Sequence, residues 1–280
     1  DPACGSGAYL LGLLHELVRV HTKLSSIAED ISETRHEMKL RIISRSIYGV
    51  DLDPFATNIA MLRLWLSLSI EAPRPEALPN LDLNIETGNS LISPSPHWAK
   101  DGNMWDPFGL KGKAEEITQK RDRYVKPTIS REEKIQLFQA IMGTREDIRK
   151  LRGAEHNSGS IDFGVDFYDV FKRDNGGFDI VLANPPYVRQ EDIDEITKAK
   201  GKINYPSLVS GKSDLYIYFY ARAKQLLRKG GVSCFICSNT WLDVEFGALL
   251  QKDIIDNFND IRIIDFRKER IFESAEVNTI

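Results

Sequence analysis

An apolar run followed directly by two prolines constrains the fold of this chain more than any other feature. Residues 178–182 read Phe-Asp-Ile-Val-Leu, a pattern typical of a buried strand. The strand must end soon afterwards, because the chain continues Asn184-Pro185-Pro186-Tyr187 and proline has no N–H to donate to a neighbouring strand. In an open α/β sheet ligands bind at the carboxyl ends of the strands, so this turn is a candidate site.

The turn offers two hydrogen-bond acceptors beside an aromatic ring. The side chain of Asn184 and the carbonyl of Pro185 can both accept, and Tyr187 supplies a flat apolar face. Such a set suits a planar group that carries an NH₂. The same residues are equally compatible with a turn that only ends the strand and packs its tyrosine.

Three further segments place glycine or polar residues where ligands bind in such folds. Residues 1–7 read Asp-Pro-Ala-Cys-Gly-Ser-Gly and precede a helical pattern, and a helix amino terminus favours an anionic group. A predicted strand ends at Asp51, where a carboxylate can accept hydrogen bonds from ribose hydroxyls. Another strand, predicted over residues 81–87, precedes Gly-Asn-Ser-Leu at residues 88–91. The ordered set is far more specific than any one of its members.

Together these segments resemble the motifs of S-adenosylmethionine-dependent amino-methyltransferases. They are most similar to adenine-specific DNA methyltransferases of the gamma motif order, and in particular to the methylase region of type IIG restriction–modification enzymes. The first three segments resemble cofactor motifs and the fourth the catalytic motif, while three later segments resemble motifs that follow it. In chain order the segments are residues 1–7, 49–54, 88–91, 184–187, 213–216, 238–241 and 272–279.

The resemblance implies a Rossmann-like α/β fold of the class I methyltransferases, with a seven-stranded sheet. No apolar run precedes the first cofactor loop, so we expect the first strand to be missing and residues 1–280 to be a fragment of a catalytic domain. A helical insertion is predicted over residues 98–171, between the third and fourth strands. The later strands are predicted at residues 232–237, 261–266 and 276–280.

The insertion carries the sizeable basic excess of the chain, with twelve Lys or Arg against seven Asp or Glu over residues 111–152. This excess of basic residues is typical of a solvated helical surface. The alternatives are a contact to the DNA backbone and a docking arm for another domain. We call residues 184–187 the catalytic turn, after the motif that they resemble. The polar residues 190–213 that follow it are predicted to form a mobile loop over the active site. A helix over residues 215–227 should then end at Gly230 and Gly231.

The resemblance also implies a reaction and its residues. A methyl group would pass from S-adenosylmethionine to the exocyclic amino group of an adenine flipped out of DNA. The catalytic turn would hold that group, and Phe272 would contact the second face of the base. Many family members have an acid at the position of Asn89. The residues expected at the cofactor are Asp1, Ala3, Gly5, Gly7, Asp51, Leu52 and Asn89.

Composition narrows the class of protein. A hydrophobic content of 42% and a charged content of 28% are ordinary for a globular domain, and no apolar run approaches the roughly 18 residues of a membrane span. Three cysteines, an odd number, indicate a reducing compartment such as the cytoplasm. The resemblance to restriction–modification methylases implies the cytoplasm of a prokaryote. Cys234 and Cys237 lie in an apolar run, which predicts core packing rather than a metal site.

The net charge of −4 is not typical of a domain that holds DNA by itself, because phosphate contacts need a basic surface. Either a basic patch is local in this chain, or most DNA contacts come from a part outside it. The resemblance implies double-stranded DNA as a partner, recognised by a target-recognition domain or specificity subunit outside this chain, in a restriction–modification or phage-defence system. A protein-glutamine or RNA adenine methyltransferase would use the same turn. A non-catalytic DNA-binding or scaffold subunit is the alternative of another class, although the intact turn and cofactor loop argue against it.

Overall fold

A computed structural model describes residues 1–28, 33–72, 80–96, 99, 109–124, 129–151, 161–245 and 247–266 of the protein. The first half contains α1 (Ala8–Ile27), α2 (Arg35–Ser46), β1 (Gly49–Asp51), α3 (Pro54–Ser69), β2 (Ile85–Thr87), α4 (Leu110–Tyr124) and α5 (Arg131–Leu151). The second half contains α6 (Phe163–Asp166), α7 (Tyr168–Phe171), β3 (Phe178–Ala183), α8 (Glu195–Asn204), α9 (Leu215–Leu226), β4 (Leu227–Phe235) and α10 (Gly247–Asn257).

The strands of the described residues form two parallel pairs. Strand β1 pairs with β2, and β3 pairs with β4 through a register shift near the start of β3. On β1, the Val50 N–H donates to the carbonyl of Asp1 at 2.9 Å, and the Cys4 N–H donates to the carbonyl of Val50 at 2.9 Å. The prediction of a mixed α/β fold is confirmed, whereas a seven-stranded sheet is not shown.

The amino-terminal loop leads into a tightly packed group of three helices. Helix α1 buries Leu10, Leu14 and Val18, which share one face because they are four residues apart. Gly7 precedes it with φ = 80°, and a Cβ there would lie 2.8 Å from the Cβ of Ala60 on α3. Glycine is therefore required at this position both for the backbone conformation and for the approach of α3.

Helices α4 and α5 form a hairpin that is fixed to the rest of the protein by buried ion pairs. The guanidinium of Arg121 lies 2.6 Å from Asp169, and that of Arg145 lies 2.8 Å from Glu86. Arg149 pairs at 2.6 Å with Asp166. Since these arginines face inward, part of the basic excess noted in the sequence balances internal carboxylates and is not presented to solvent.

Several elements differ from the sequence predictions around the third and fourth strands. Strand β2 begins only at Ile85, because residues 81–84 form a turn in which the N–H groups of Asn84 and Ile85 both donate to the carbonyl of Leu81. Helix α2 begins at Arg35, after the capping residue Thr34. Residues 29–32 lie outside the described part.

The predicted mobile loop over residues 190–213 is wrong, because this segment contains a 3₁₀ turn and helix α8. The Asp194 side chain caps α8 by accepting from the Thr197 N–H at 2.9 Å. A Cβ at Gly201 would lie 2.2 Å from the ring of Tyr218, so α8 packs directly on α9. A face of small residues, Thr197 and Gly201, thus packs the segment against the rest of the protein.

The carboxyl-terminal part also departs from expectation. Gly230 does not end a helix but lies inside β4 with φ = 76°, and β4 begins at once after α9. Residues 261–266 form no regular strand, and Ile261 and Ile263 are exposed. Cys234 is exposed too, so its predicted place in the core is wrong.

Among the helices that the structure describes, none is long and apolar enough to cross a membrane. Residues 272–280, with the predicted last strand, lie outside the described part.

Candidate active site

The catalytic turn follows β3 directly, as the sequence predicts. The ladder with β4 ends where the Ile236 N–H donates to the carbonyl of Ala183 at 3.1 Å, and the two prolines come next. Asn184 is half-buried, Pro185 is buried and Pro186 is exposed. The turn is therefore anchored on the sheet at its first residue and reaches solvent at its third.

Tyr187 and Asn184 form the one side-chain pair of this turn that the structure describes. The tyrosine hydroxyl donates to Asn184 Oδ1 at 3.2 Å, which fixes the orientation of the amide. An amide oxygen has a second lone pair, so it can still accept from a bound group. Burial, together with Cys237 and Tyr9, raises the pKa of Tyr187 to about 12, and the phenol stays neutral at neutral pH.

The amino-terminal loop contains a carboxylate, that of Asp1, which can accept a further hydrogen bond. Asp1 Oδ1 accepts from the Ala3 N–H at 2.9 Å, while Oδ2 is buried and has no hydrogen-bond partner among the described residues. A buried carboxylate oxygen without a donor is costly. Its position beside the glycine loop therefore indicates a place for a donor from outside the protein.

Asp51 ties the amino-terminal loop to the ends of β1 and β2. Its Oδ2 accepts from the Gly5 N–H at 2.7 Å and its Oδ1 from the Asp53 N–H at 3.0 Å. Its backbone carbonyl accepts from the Gly88 N–H at 2.8 Å. Leu52, next to it, leaves 67% of its surface exposed. Three of the predicted cofactor segments thus meet at one aspartate.

Asn89 organises the loop after β2. Its Oδ1 accepts from the N–H groups of Leu91 at 2.9 Å and Ile92 at 3.4 Å, while none of the described residues accepts from its Nδ2. The next residue, Ser90, donates from Oγ to the carbonyl of Pro2 at 2.7 Å. The loop is therefore joined to the amino-terminal loop and keeps one free donor.

The catalytic turn and the cofactor segments lie close together. Ala3 packs against the same apolar cluster as Val188 and the buried Leu91. Tyr9, in the first turn of α1, is near enough to Tyr187 to affect its pKa. The structure joins the amino-terminal loop to Asp51 and to residues 88–91, and brings that loop near the residue after the catalytic turn, whereas Phe272 lies outside the described part. The roles assigned to all of them stay predictions.

The sequence analysis did not predict Tyr9, Ser90 and Asp214 as residues of the site. Asp214 Oδ1 accepts from the Gln190 N–H at 3.0 Å and so holds the chain that leaves the catalytic turn. The signal for Tyr9 was an aromatic residue directly behind the glycine loop, and that for Ser90 was its place inside the third segment. Within the described residues, no group of three His, Cys, Asp or Glu side chains could hold a metal ion.

The family profile described as Eco57I restriction-modification methylase matches residues 45–272, most of the chain. The chain belongs to this methylase family. The profile described as the DNA-methyltransferase domain of MmeI matches residues 1–72. The resemblance drawn from the motifs is confirmed at the level of the family.

Individual relatives agree with this assignment. The chain is similar to the type II restriction enzyme and methyltransferase RM.Eco57I of Escherichia coli, with 24% identity over 302 residues, which cover 100% of this chain and 23% of that protein. It is also similar to the adenine-specific methyltransferase PglX of Lacticaseibacillus casei, with 23% identity over 271 residues, covering 90% of this chain and 20% of the relative.

The type II methyltransferase M.XhoI of Xanthomonas vasicola is 35% identical over 97 residues, covering 35% of this chain and 18% of that protein. The chain thus spans less than a quarter of the length of these curated relatives.

Proposed function

We propose that this methylase transfers a methyl group from S-adenosylmethionine to the exocyclic amino group of adenine in double-stranded DNA, as part of a restriction–modification or phage-defence system. The observation that carries the proposal is the proximity of the catalytic turn and the amino-terminal loop, because Val188, directly after the turn, and Ala3 of the loop pack against the same apolar cluster. The name of one relative as adenine-specific supports adenine as the target.

The residues present fit S-adenosylmethionine. The buried and unpartnered Asp1 Oδ2 matches the ammonium group of a methionine. Asp51 uses each carboxylate oxygen once, so each can still accept from a ribose hydroxyl. Leu52 offers an exposed apolar surface to an adenine ring, and Asn89 Nδ2 offers a donor to its edge. When bound, the cofactor supplies an electrophilic methyl group on a sulfonium.

The catalytic turn would make the amino group of the target base a better nucleophile. The lone pair of that nitrogen is delocalised into the ring, which keeps the group flat. Asn184 Oδ1 and the carbonyl of Pro185 would accept from its two hydrogens and draw the nitrogen towards tetrahedral geometry. The turn therefore contributes orientation and electrostatic stabilisation without a covalent intermediate.

The base must leave the duplex to reach this turn, which costs a few kcal/mol. The ring of Tyr187 would offset part of that cost, since stacking of a base on an aromatic ring is worth roughly 1–3 kcal/mol. Because burial keeps the pKa of Tyr187 at about 12, the ring meets the base as a neutral phenol. A second aromatic contact from Phe272 is part of the same proposal.

The two parallel strand pairs would belong to one seven-stranded sheet. An apolar groove of about 390 Å³ lies between α1 and β3, lined by Ala8, Tyr9, Gly12, Leu13, Glu16 and Leu182. Residues 1–4 run along β1 on one side of this region. A further strand laid in the groove would bury its apolar lining and join the pairs.

DNA would be recognised mainly by parts of the protein outside this chain. The arginines of α4 and α5 that face the body are paired with carboxylates and are not available to phosphates. A target-recognition domain or specificity subunit would therefore supply most of the phosphate and base contacts.

The test is a methylation assay with the full-length protein and tritiated S-adenosylmethionine. Unmethylated DNA, RNA and a glutamine-bearing protein extract are offered in parallel, and Asn184→Ala serves as the inactive control. Label recovered as methyladenine in DNA supports the proposal. Label in RNA or protein alone would overturn the substrate but keep the chemistry, and bound cofactor without any transfer would favour the scaffold role.

A further inference from the structure

Arg222 on α9 is a completely buried cation with no acidic partner at close range. Its exposed fraction is 0%, and its guanidinium lies over the rings of Tyr205 and Phe163 at 5.3 and 5.6 Å from their centres. None of the described carboxylates pairs with it within 4.0 Å, and Asp162 acts on it only from farther away. Burial of a charge is costly unless other groups satisfy it.

The two Nη atoms of Arg222 donate mainly to backbone carbonyls of one loop, whereas its Nε has no hydrogen-bond partner among the described residues. Its Nη2 donates to the carbonyl of Ser93 and, at 3.3 Å, to that of Leu91, while Nη1 donates to the carbonyl of Pro94 at 3.3 Å. These carbonyls belong to residues 89–94, which we call the Asn89 loop. One side chain therefore holds the second half of this loop against α9.

The end of α8 holds the same carbonyls. Asn204 Nδ2 donates to Leu91 at 3.3 Å and to Ser93 at 3.1 Å, and the hydroxyl of Tyr205 donates to Leu91 at 3.0 Å. Gln225 joins the two helices, because it accepts from Arg222 at 2.9 Å and donates to the carbonyl of Asn204 at 3.0 Å. The anchor is thus a connected network with Arg222 at its centre.

This network lies between the two halves of the candidate active site. On one side, the Asn89 loop reaches the amino-terminal loop through Ser90 and Pro2. On the other side, α9 begins where the Leu215 N–H donates to the carbonyl of Val188, directly after the catalytic turn. Movement of α9 relative to the Asn89 loop would therefore change the distance between the cofactor and the target base.

We propose that Arg222 is a positioning residue that fixes the Asn89 loop, and with it the cofactor-facing side of Asn89, relative to the catalytic turn. The effect of Arg222 on the cofactor rests on the proposed function. That Arg222 anchors the Asn89 loop does not depend on that function. The guanidinium is suited to the task, because its planar fork reaches several acceptors at once while its faces pack on aromatic rings.

The experiment compares Arg222→Met and Arg222→Lys with Lys39→Met in the full-length protein. Lys39 is also a buried cation, but it donates to Ser67 at 3.0 Å and pairs with Glu71 at 2.7 Å, in the packing of α2 on α3. Loss of Lys39 should lower the melting temperature without touching the Asn89 loop. The lysine variant keeps the stem between the rings if the methionine variant does not fold.

The first measurement is amide hydrogen exchange without cofactor. In both Arg222 variants the amides of Leu91 and Ile92, which donate to Asn89, should exchange at least about tenfold faster, since a residue inside a connected network carries a coupling of this order. Lys39→Met should leave them unchanged. Unchanged exchange in the Arg222 variants, or the same increase in the control, would overturn the proposal.

The second measurement is the affinity for S-adenosylmethionine and the rate at saturating cofactor. We expect the Arg222 variants to lose about tenfold in affinity and to keep the saturated rate within about threefold, a split that general destabilisation would not produce. An equal loss in Lys39→Met, or unaltered affinity, would refute the coupling to the cofactor. A parent protein that does not bind the cofactor would refute the proposed function, and the exchange data would still decide whether Arg222 anchors the loop.

Discussion

Replacing Arg145 by methionine should destabilise the protein more than any surface substitution. Only 1% of Arg145 is exposed, and its guanidinium contacts Glu86 at 2.8 Å, Asp166 Oδ1 at 3.3 Å and the Asp166 carbonyl at 2.9 Å. Breaking a buried ion pair by removing one partner costs about 3–5 kcal/mol, because the other charge stays buried. Asp166 keeps Arg149, so the loss falls mainly on Glu86.

The measurement is urea unfolding of the parent, Arg145→Met, Glu86→Gln and the double variant. A cost of about 3–5 kcal/mol corresponds to a fall in melting temperature on the order of 10 °C for a chain of this size. The double variant should be more stable than the sum of the two single losses predicts, by about 0.5–3 kcal/mol, because it leaves no unpaired charge. A loss below about 1 kcal/mol, in the range of exposed pairs, would refute the inward-facing arrangement of the hairpin.

The pH dependence gives a second check on the same pair. Burial raises the pKa of Glu86 above its ordinary value of 4.5 in the folded protein. An acid with a raised folded pKa contributes full stability below its unfolded pKa, and this stability is lost as the pH rises through the folded pKa. Without Arg145 the rise should be larger, so Arg145→Met should lose less stability near pH 4.5 than at pH 8. An equal loss at both pH values would mean that Glu86 is not buried.

Four smaller predictions concern the candidate site. Asn184→Ala should lower the methylation rate about 100-fold or more and leave the cofactor affinity measured by calorimetry unchanged, and a parallel loss of both would remove Asn184 from catalysis. Asp51→Ala should weaken cofactor binding about tenfold in the same assay, whereas unaltered binding would exclude the ribose contact. Tyr187→Phe keeps the ring but loses the hydroxyl that orients Asn184, so it should lose less rate than Tyr187→Ala, which should lose about 1–3 kcal/mol more transition-state stabilisation, and equal rates of the two variants would argue against stacking. Because burial raises the pKa of Cys4 to about 12, iodoacetamide at pH 8 should modify it only after denaturation, and mass spectrometry of native protein would detect any exception.

The turns and loops of the candidate site were predictable from the sequence because they are local, whereas the roles of their residues stay predictions. The prolines after Asn184 end a strand wherever they occur, and the glycines of residues 1–7 produce a loop before a helix without help from distant residues. Asp51 and Asn89 were recognisable because they follow apolar strands. The local chemistry of the chain therefore defines these positions.

The contacts that hold the site together were not predictable, because their partners are far apart in the chain. Arg222 and Leu91 are separated by 131 residues, and nothing near either residue indicates the other. The strand expected at residues 261–266 failed for a related reason. Its alternating isoleucines suit a strand, but the described structure places no neighbouring strand beside them.

The inward-facing arginines of α4 and α5 also limit how this chain can be shortened. Residues 110–151 lie between β2 and β3, so a shortened variant would first be designed by deleting this helical hairpin. That deletion would leave Glu86, Asp166 and Asp169 without the arginines that the hairpin supplies. The deletion would therefore have to be combined with replacement of those carboxylates by neutral side chains, because a buried charge without a partner is strongly destabilising.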